Sequence, residues 1–367
     1  MRTASTAPAA GADTITEQAG APADLSDGRV HLLDLLPGEL EQLVESLGER
    51  RFRARQLLHW LWKRGVDQVE AMTDLPRAFR ERLAAEVEMS FPPVVQVQQS
   101  RDGTRKYLLA VRGGDTVEAV LIPEEDRVTA CLSSQVGCGM GCTFCATALG
   151  GLSRNLRPAE IAGQLLALQR DAGVRVTHVV MMGMGEPLAN YRHVLQAVRL
   201  LNHPDAGGIG ARRITISTVG VVPGIRRLAR EALQVVLAVS LHAPTDELRN
   251  RLVPLNRRYP LDELLAACRD YVQLTRRRIT FEYVLLAGVN DRPEHAEALA
   301  DRVGPLLCHV NLIPFNPVPE TGYARPPEES IEAFRRRLAR RGIPVTVRRE
   351  RGVDIDAACG QLRRRWR

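Results

Sequence analysis

Cys138, Cys142 and Cys145 stand in the stretch Gly137-Cys-Gly-Met-Gly-Cys-Thr-Phe-Cys145 as C-x3-C-x2-C, three thiols on one short glycine-rich loop. A structural zinc site closes its tetrahedron with four protein ligands, and ordinary [4Fe-4S] electron carriers use four cysteines. Three ligands on a tight loop therefore suggest a cluster with one iron left open, and an open iron can hold a substrate. Gly137, Gly139 and Gly141 let the backbone wrap a bulky group, because glycine tolerates angles that a side chain forbids. A zinc knuckle borrowing His178 or another distant ligand is the alternative. The other four cysteines are scattered, and Cys268 and Cys308 read as small buried hydrophobes. Cys131 lies on a strand seven residues before the cluster motif, without cluster spacing. Cys359 differs, because it precedes a glycine in a tail segment with no evident core to join.

A scaffold to position these thiols is written in the periodicity. From Val128 onward, strands over 128–136, 176–183, 213–218, 235–241, 279–286 and 308–314 alternate with helices over 158–171, 190–202, 223–231, 261–275, 293–303 and 328–341. Six β-α units imply a parallel sheet with helices outside, curled by right-handed crossovers into a complete or partial (β/α) barrel. A last strand over 343–348 would add to its edge. Periodicity does not distinguish six strands open from eight closed. In such barrels the chemistry sits where strands end and loops begin. Four strand ends besides the cysteine loop offer polar groups: Gly185-Glu186, Ser217-Thr218, Ser240-Leu241-His242 and Asn316. Singly each is weak, since a serine after a strand is usually a helix cap and His242 alone reads as a satisfied structural histidine.

The region before the barrel divides in two. Residues 29–91 read as a small helical unit, with an amphipathic stretch from Pro37 and a second from Ala54 to Trp62 that Gly65 ends. Residues 92–126 alternate as strands joined by Asp102-Gly103 and Gly113-Gly114 turns, a lead-in sheet to the barrel over 127–350. Residues 351–367 form a C-terminal segment with Cys359 and a basic tail, and residues 1–28 read as a disordered tail without a secretory pattern.

With 367 residues, 45% of them hydrophobic, the chain supports a sizeable core, and its apolar runs are too short to span a bilayer. Seven cysteines with three clustered do not make a secreted disulfide framework, so a reducing cytoplasm is expected. The net charge of +7 rests on bunched arginines, at Arg50-Arg51-Phe-Arg53-Ala-Arg55, Arg276-Arg277-Arg278, Arg335-Arg336-Arg337, Arg340-Arg341 and Arg363-Arg364-Arg365-Trp366-Arg367. Each run alone suits a solvated helix face; as a set, with Trp60, Trp62 and Trp366, they point to RNA contact.

The cysteine spacing with Phe144 before the last thiol resembles the radical S-adenosylmethionine (SAM) enzymes. A longer set of motifs in order is similar to the RlmN family of adenosine C2 RNA methyltransferases, kin of the C8-methylating Cfr enzymes. These are Val117-Glu118-Ala-Val-Leu-Ile-Pro123, Cys131 to Cys145, Gly183-Met-Gly-Glu-Pro-Leu188, Ser217 to Gly220, Ser240-Leu-His242-Ala, Asn311 to Pro317 and Gly352 to Leu362. The resemblance covers about residues 30–362. It implies a partial six-unit barrel and a [4Fe-4S] cluster on Cys138, Cys142 and Cys145 whose free iron chelates SAM. Gly185, Glu186, Ser217, Ser240, Leu241, His242 and Asn316 are then the cofactor-binding positions. It further implies that Cys359 takes a methyl group from one SAM, that a second SAM is cleaved to a radical that activates this methyl group, that Glu118 is the general base, and that Cys131 resolves the protein–RNA adduct through a transient disulfide.

Its targets would be an adenosine in the peptidyl-transferase region of 23S rRNA and one next to the anticodon of tRNAs, flipped from their stacks. An external electron donor, no membrane and a monomer are also expected. The rivals are C8 methylation, a methylthiotransferase, which would need a second three-cysteine cluster, and a zinc-dependent RNA-binding module without catalysis.

Overall fold

Strands Val128–Cys131, His178–Met181, Ile214–Thr218, Val236–Ser240, Ile279–Leu285 and Cys308–Pro314 hydrogen-bond in chain order and run parallel in the computed structural model, which describes residues 29–363. The expected tail over 1–28 and the basic end Arg364-Arg365-Trp366-Arg367 lie outside the described residues. Between the strands run helices Pro158–Ala172, Tyr191–Asn202, Val222–Leu228, Leu261–Thr275, Pro293–Val303 and Glu328–Arg340. Proline in the first turn starts three of them, at Pro158, Pro223 and Pro293; at the first, Glu160 also accepts from the Arg157 N–H at 2.8 Å. Gly173, at φ 64°, ends it.

The sheet is open. Val345–Val347 adds a parallel strand beside Cys308–Pro314, and the antiparallel strands Thr116–Pro123, Arg105–Ala110 and Val94–Gln99 extend the other end, giving ten strands whose two edges do not meet. The lead-in sheet is therefore continuous with the barrel. Val120 pairs with Cys131, so the face that carries Cys131 continues through Val120 to Glu118.

One expected strand divides. The pattern predicts 128–136 as a single element, but the chain leaves the sheet after Cys131, and Gln135–Gly137 pairs instead with Leu152–Asn155 in a separate hairpin. The backbone groups between them are used elsewhere: the Ser133 N–H donates to Gln164 Oε1 at 2.9 Å and the Ser134 N–H to the Met184 carbonyl at 2.8 Å. At Gly137 (φ 78°) a Cβ would lie 2.0 Å from the Gly151 oxygen, so the hairpin that opens the cysteine loop closes only around glycine. The short helix Asp246–Leu252, capped by Thr245, had no counterpart in the periodicity.

Residues 29–91 build helices Pro37–Ser46, Phe52–Leu58 and Arg77–Glu86, with a π turn over His59–Lys63 that carries Trp60 and Trp62 inward. The unit is fixed to the barrel by Asp34, which pairs with Arg157 and accepts from the Ala159 N–H at 2.8 Å, and by Lys63 Nζ on the Ala206 carbonyl at 2.8 Å. The main apolar core fills the space between sheet and helices. A smaller cluster of Phe144, Val219, Val284, Leu286 and Phe315 lines the strand ends, with Cys142 and Cys145 packed against it.

Candidate active site

Two cavities open at the strand ends. The smaller, about 160 Å3, is walled by Cys138, Cys142 and Cys145, by Gly185 and Glu186, and by Ser217, Ser240 and His242. Chain turns more than a hundred residues apart thus bring the three thiols and three of the four polar strand ends together. The larger, about 400 Å3, holds Cys131, Asn316 and Cys359 among Arg127, Arg212, Arg213, Arg349 and Arg351. Cys359 lines both, as do Met182, Ile313 and Arg348, so the two cavities share one wall.

Among the described residues, no group of three His, Cys, Asp or Glu side chains converges on a point for a single ion. Thiols that each bind a different iron of a cluster stand farther apart than ligands of one zinc. Three thiols around one cavity, beside apolar Met140, Phe144 and Val219, fit a multi-iron cluster. The zinc knuckle fails on position as well: His178 lines the other cavity, its Nδ1 2.9 Å from Thr177 Oγ1. Burial pushes the Cys138 thiol up to about 12 and that of Cys142 well above the ordinary thiol value, with neighbouring thiols adding to the rise at Cys142. Such thiols give up their protons to a metal rather than to water. A second cluster has no ligands here, since Cys268 and Cys308 are buried in the helix Leu261–Thr275 and the strand Cys308–Pro314. That removes the methylthiotransferase reading.

Glu186 is a brace. Its Oε2 accepts from the Val219 N–H at 2.7 Å and its Oε1 from the Leu188 N–H at 2.9 Å, tying two strand-end loops together, while burial pushes the carboxyl up to about 7. The carboxylate is thus spent on the chain's own amides, and Gly183 to Gly185 present backbone to the cavity. Gly185 sits at φ 99°, where a Cβ would meet Gln135 Cβ at 2.6 Å. Ser217 and Ser240 are half-buried on the wall. Leu241 lines neither cavity; it is fully buried, with its carbonyl accepting from Arg249 Nε at 3.0 Å.

His242, at φ 62°, accepts from the Val284 N–H through Nδ1 at 3.0 Å, and burial followed by the nearby Arg249 charge pushes it down to about 3. It is a neutral ring stacked edge-on against Phe144 at 4.8 Å, both a structural histidine and a wall of the cavity. Asn316 belongs to the larger cavity: its Nδ2 donates to the Cys359 carbonyl at 3.3 Å, and its buried Oδ1 has no partner among the described residues, an acceptor left for a ligand's N–H or O–H.

Cys131 and Cys359 are free thiols on the larger cavity, and burial followed by the adjacent Cys359 sulfur pushes Cys131 up to about 12. Glu118 is separated from both. It lies in a neighbouring cavity with Lys106 and residues 354–356, 361 and 363, accepting from the Arg363 N–H at 2.7 Å, with Lys106 Nζ 3.6 Å away. Burial raises its pKa, which Lys106 partly opposes.

Two arginines escaped sequence reasoning. Arg249 is fully buried, donating to the Leu241, Ser240 and Val219 carbonyls and to Asn256 Oδ1, and so ties together the strand ends behind Cys142. Arg348, just past the edge strand, stands on the wall between the cavities. Of the arginine runs singled out for RNA, the one over 335–341 is in part paired with acids: Arg335 with Glu332 on its own helix, and Arg337 and Arg341 with Glu297 and Asp301 of the neighbouring helix Pro293–Val303.

Comparison with known proteins rests on several matches. The Radical SAM superfamily model matches residues 132–301, and that of the ribosomal RNA large subunit methyltransferase N-terminal domain matches residues 30–89. A probable dual-specificity RNA methyltransferase RlmN of Pelotomaculum thermopropionicum is 52% identical over 340 residues, covering 92% of each chain. The chain belongs to the RlmN family. The RlmN of a Marinomonas species is 49% identical over 345 residues, 91% of this chain and 93% of that one. The crystal structure of a radical SAM methyltransferase from Sphaerobacter thermophilus superposes with a TM-score of 0.88 at 51% identity, covering 91% of this chain and 99% of that one. The chain is thus a radical SAM RNA methyltransferase with the radical SAM fold, a [4Fe-4S] cluster and SAM as cofactors, and RNA as substrate. No helix among the described residues is long and apolar enough to cross a membrane.

Proposed function

We propose that this member of the RlmN family methylates C2 of an adenosine in the peptidyl-transferase region of 23S rRNA and of one beside the anticodon in tRNAs, with Cys359 carrying the methyl group between two substrates. The observation that best supports this is the position of Cys359 on the wall common to both cavities. Carbon 2 of adenine has no lone pair and no acidic hydrogen, so polar attack on a sulfonium methyl group has no nucleophile there.

Cys138, Cys142 and Cys145 would hold the cluster, which when bound supplies the single electron that splits SAM and opens carbon-radical chemistry. Gly185, Ser217 and Ser240 would meet SAM's polar groups. Cys359, as thiolate, accepts the methyl carbon: its S–C bond forms as the sulfonium S–C bond breaks. Two SAM molecules are consumed in each turnover, one as methyl donor and one as radical source. The RNA lies in the larger cavity, with Arg127, Arg212 and Arg213 toward its phosphates and the Asn316 Oδ1 toward the extruded base.

The S-methyl group of Cys359, having given one hydrogen atom to the 5′-deoxyadenosyl group, bonds through its carbon to C2. Glu118 then removes the C2 proton, and the adduct's odd electron leaves to an acceptor that the cluster would supply when bound. Burial makes Glu118 a stronger base than a surface carboxylate, and its release from the Arg363 N–H requires residues 361–363 to shift. Cys131 then attacks the Cys359 sulfur. The bond from that sulfur to the bridging carbon breaks, the carbon takes up a proton to complete the methyl group, and the disulfide is reduced before the next cycle.

Incubation with rRNA and tRNA, followed by nucleoside mass spectrometry, tests the assignment. Cys131→Ala is expected to accumulate a protein–RNA adduct and Cys359→Ala to form none. A Cys359→Ala enzyme that produces 2-methyladenosine at the normal rate refutes the scheme, and 8-methyladenosine as product refutes the C2 assignment.

A further inference from the structure

Arg348 is placed by the edge strand. Its N–H donates to the Leu312 carbonyl at 2.8 Å, extending the ladder of Val345–Val347, and the alternation of a strand then turns its side chain inward while Arg349 stays exposed. Among the described residues that line the smaller cavity it is the only lysine or arginine. It lines both cavities together with Cys359, its Nη1 lies 3.8 Å from Met182 Sδ, and the Cys359 sulfur and the Glu282 carboxyl are the nearby groups whose charge acts on it. On the same wall, two strands away, stands Glu282, buried, its Oε2 accepting from Asn311 Nδ2 at 2.8 Å; burial raises its carboxyl and the Arg348 charge opposes that rise. Cys131 is the remaining ionisable neighbour of Cys359 on the adjoining strands.

A guanidinium stays charged in any protein environment, and hydrogen bonds to ionised partners are shorter and stronger than neutral ones. The thiolate, not the thiol, is the form that attacks carbon. A cation alone beside the sulfur would, however, repel a sulfonium methyl donor. A carboxylate on the same wall cancels that repulsion at the distance of the incoming charge while leaving the closer arginine to act on the sulfur.

We propose that Arg348 is a positioning residue that holds the Cys359 sulfur as an anion at the junction of the two cavities, with Glu282 as the counter-charge that admits a cationic donor. This rests on Cys359 as methyl acceptor.

The test uses the cluster-loaded full chain under anaerobic conditions. Cys359 is alkylated with anionic iodoacetate and with neutral iodoacetamide, and each cysteine peptide is quantified by mass spectrometry. The ratio of the two rates at Cys359 cancels its exposure and mobility and reports the local charge. Arg348→Met is expected to slow both reagents by about tenfold or more through loss of thiolate. It should also lower the iodoacetate-to-iodoacetamide ratio by about threefold or more through loss of the cation. Arg348→Lys should restore the ratio and most of the rate, and Glu282→Gln should raise the ratio.

Unchanged rates and ratio in Arg348→Met overturn the inference, and so does a failure of Arg348→Lys to restore the ratio. An unchanged ratio in Glu282→Gln overturns the counter-charge. Should Arg348→Met loosen the fold, reagent will reach the buried Cys268, and the Arg348→Lys and Glu282→Gln ratios then decide. Failure of the underlying reading shows separately: Cys359→Ala that still methylates RNA sinks the acceptor role whatever the alkylation shows, whereas normal alkylation in Arg348→Met with an inactive Cys359→Ala sinks only the role of the arginine.

Discussion

Replacing Glu186 with alanine isolates what the brace between the strand ends contributes. The carboxylate accepts one N–H through each oxygen, from Val219 at 2.7 Å and Leu188 at 2.9 Å, and both amides are buried. Alanine leaves two buried donors without partners, and at about 1–3 kcal/mol for each orphaned group the loss is about 2–6 kcal/mol. Glutamine keeps one acceptor and turns an NH2 toward the other donor, so about half of that loss is expected. Against a total stability of about 5–15 kcal/mol for a folded domain, alanine at the upper end approaches outright unfolding. Urea unfolding followed by circular dichroism, under reductant and with the slope checked for constancy, measures both variants. The order wild type, glutamine, alanine is expected. Because the Val219 bond joins the loop after His178–Met181 to the end of Ile214–Thr218, and the Leu188 bond holds that loop in shape, SAM affinity should fall in the same order. An alanine variant within about 0.5 kcal/mol of wild type, the range of ordinary surface changes, refutes the brace.

Cys142→Ala should fail to retain the cluster, with iron falling from about four per chain to near the background of a metal analysis and the brown absorbance lost; full iron retention counts against the three-thiol loop. At Asp102, burial would raise the carboxyl, but bonds from Thr104 and the Gly352 N–H outweigh it and hold the group at about 2. The folded value lies below the unfolded one, so its contribution is present above the ordinary 3.8 and is lost as pH falls through about 2. Asp102 is exposed, so solvent screening keeps that contribution below about 1 kcal/mol; Asp102→Asn should lower stability at neutral pH but not at pH 2 and speed proteolysis near Gly352. Arg213→Ala should weaken binding of unrelated RNA sequences alike and reduce the slope of log affinity against log salt by about 1 if it contacts one phosphate, which filter binding across a salt series will show.

Elements that bury one regular face were legible from the chain alone. The helices Leu261–Thr275 and Pro293–Val303 and the strand Cys308–Pro314 fall at their expected bounds, because their apolar spacing and their prolines or flanking polar residues leave no competing reading. The predicted strand over 128–136 misled, since its alternation continues through Ser133 and Ser134 while their N–H groups are taken by Gln164 and Met184 from distant elements. Local pattern carries no record of a partner thirty to fifty residues away. The three thiols were readable because a cluster motif is local. Arg348 and Arg249 were not, because an arginine in a charged stretch reads as surface until topology turns it inward. Conversely, the 335–341 arginines read as an RNA grip, yet Arg335 is paired with an acid on its own helix and Arg337 and Arg341 with acids on the neighbouring helix Pro293–Val303.

The shared wall has a consequence for how such enzymes diversify. On the proposed reading, the cysteine loop that would serve the sulfonium lines one cavity and the arginines that would embrace a nucleic acid line the other, with Cys359 on their common wall. Remodelling of the arginine-lined chamber can therefore redirect the choice of nucleotide, or of the atom on it, while the radical-generating half stays untouched, so that specificity drifts without each change having to rediscover the chemistry.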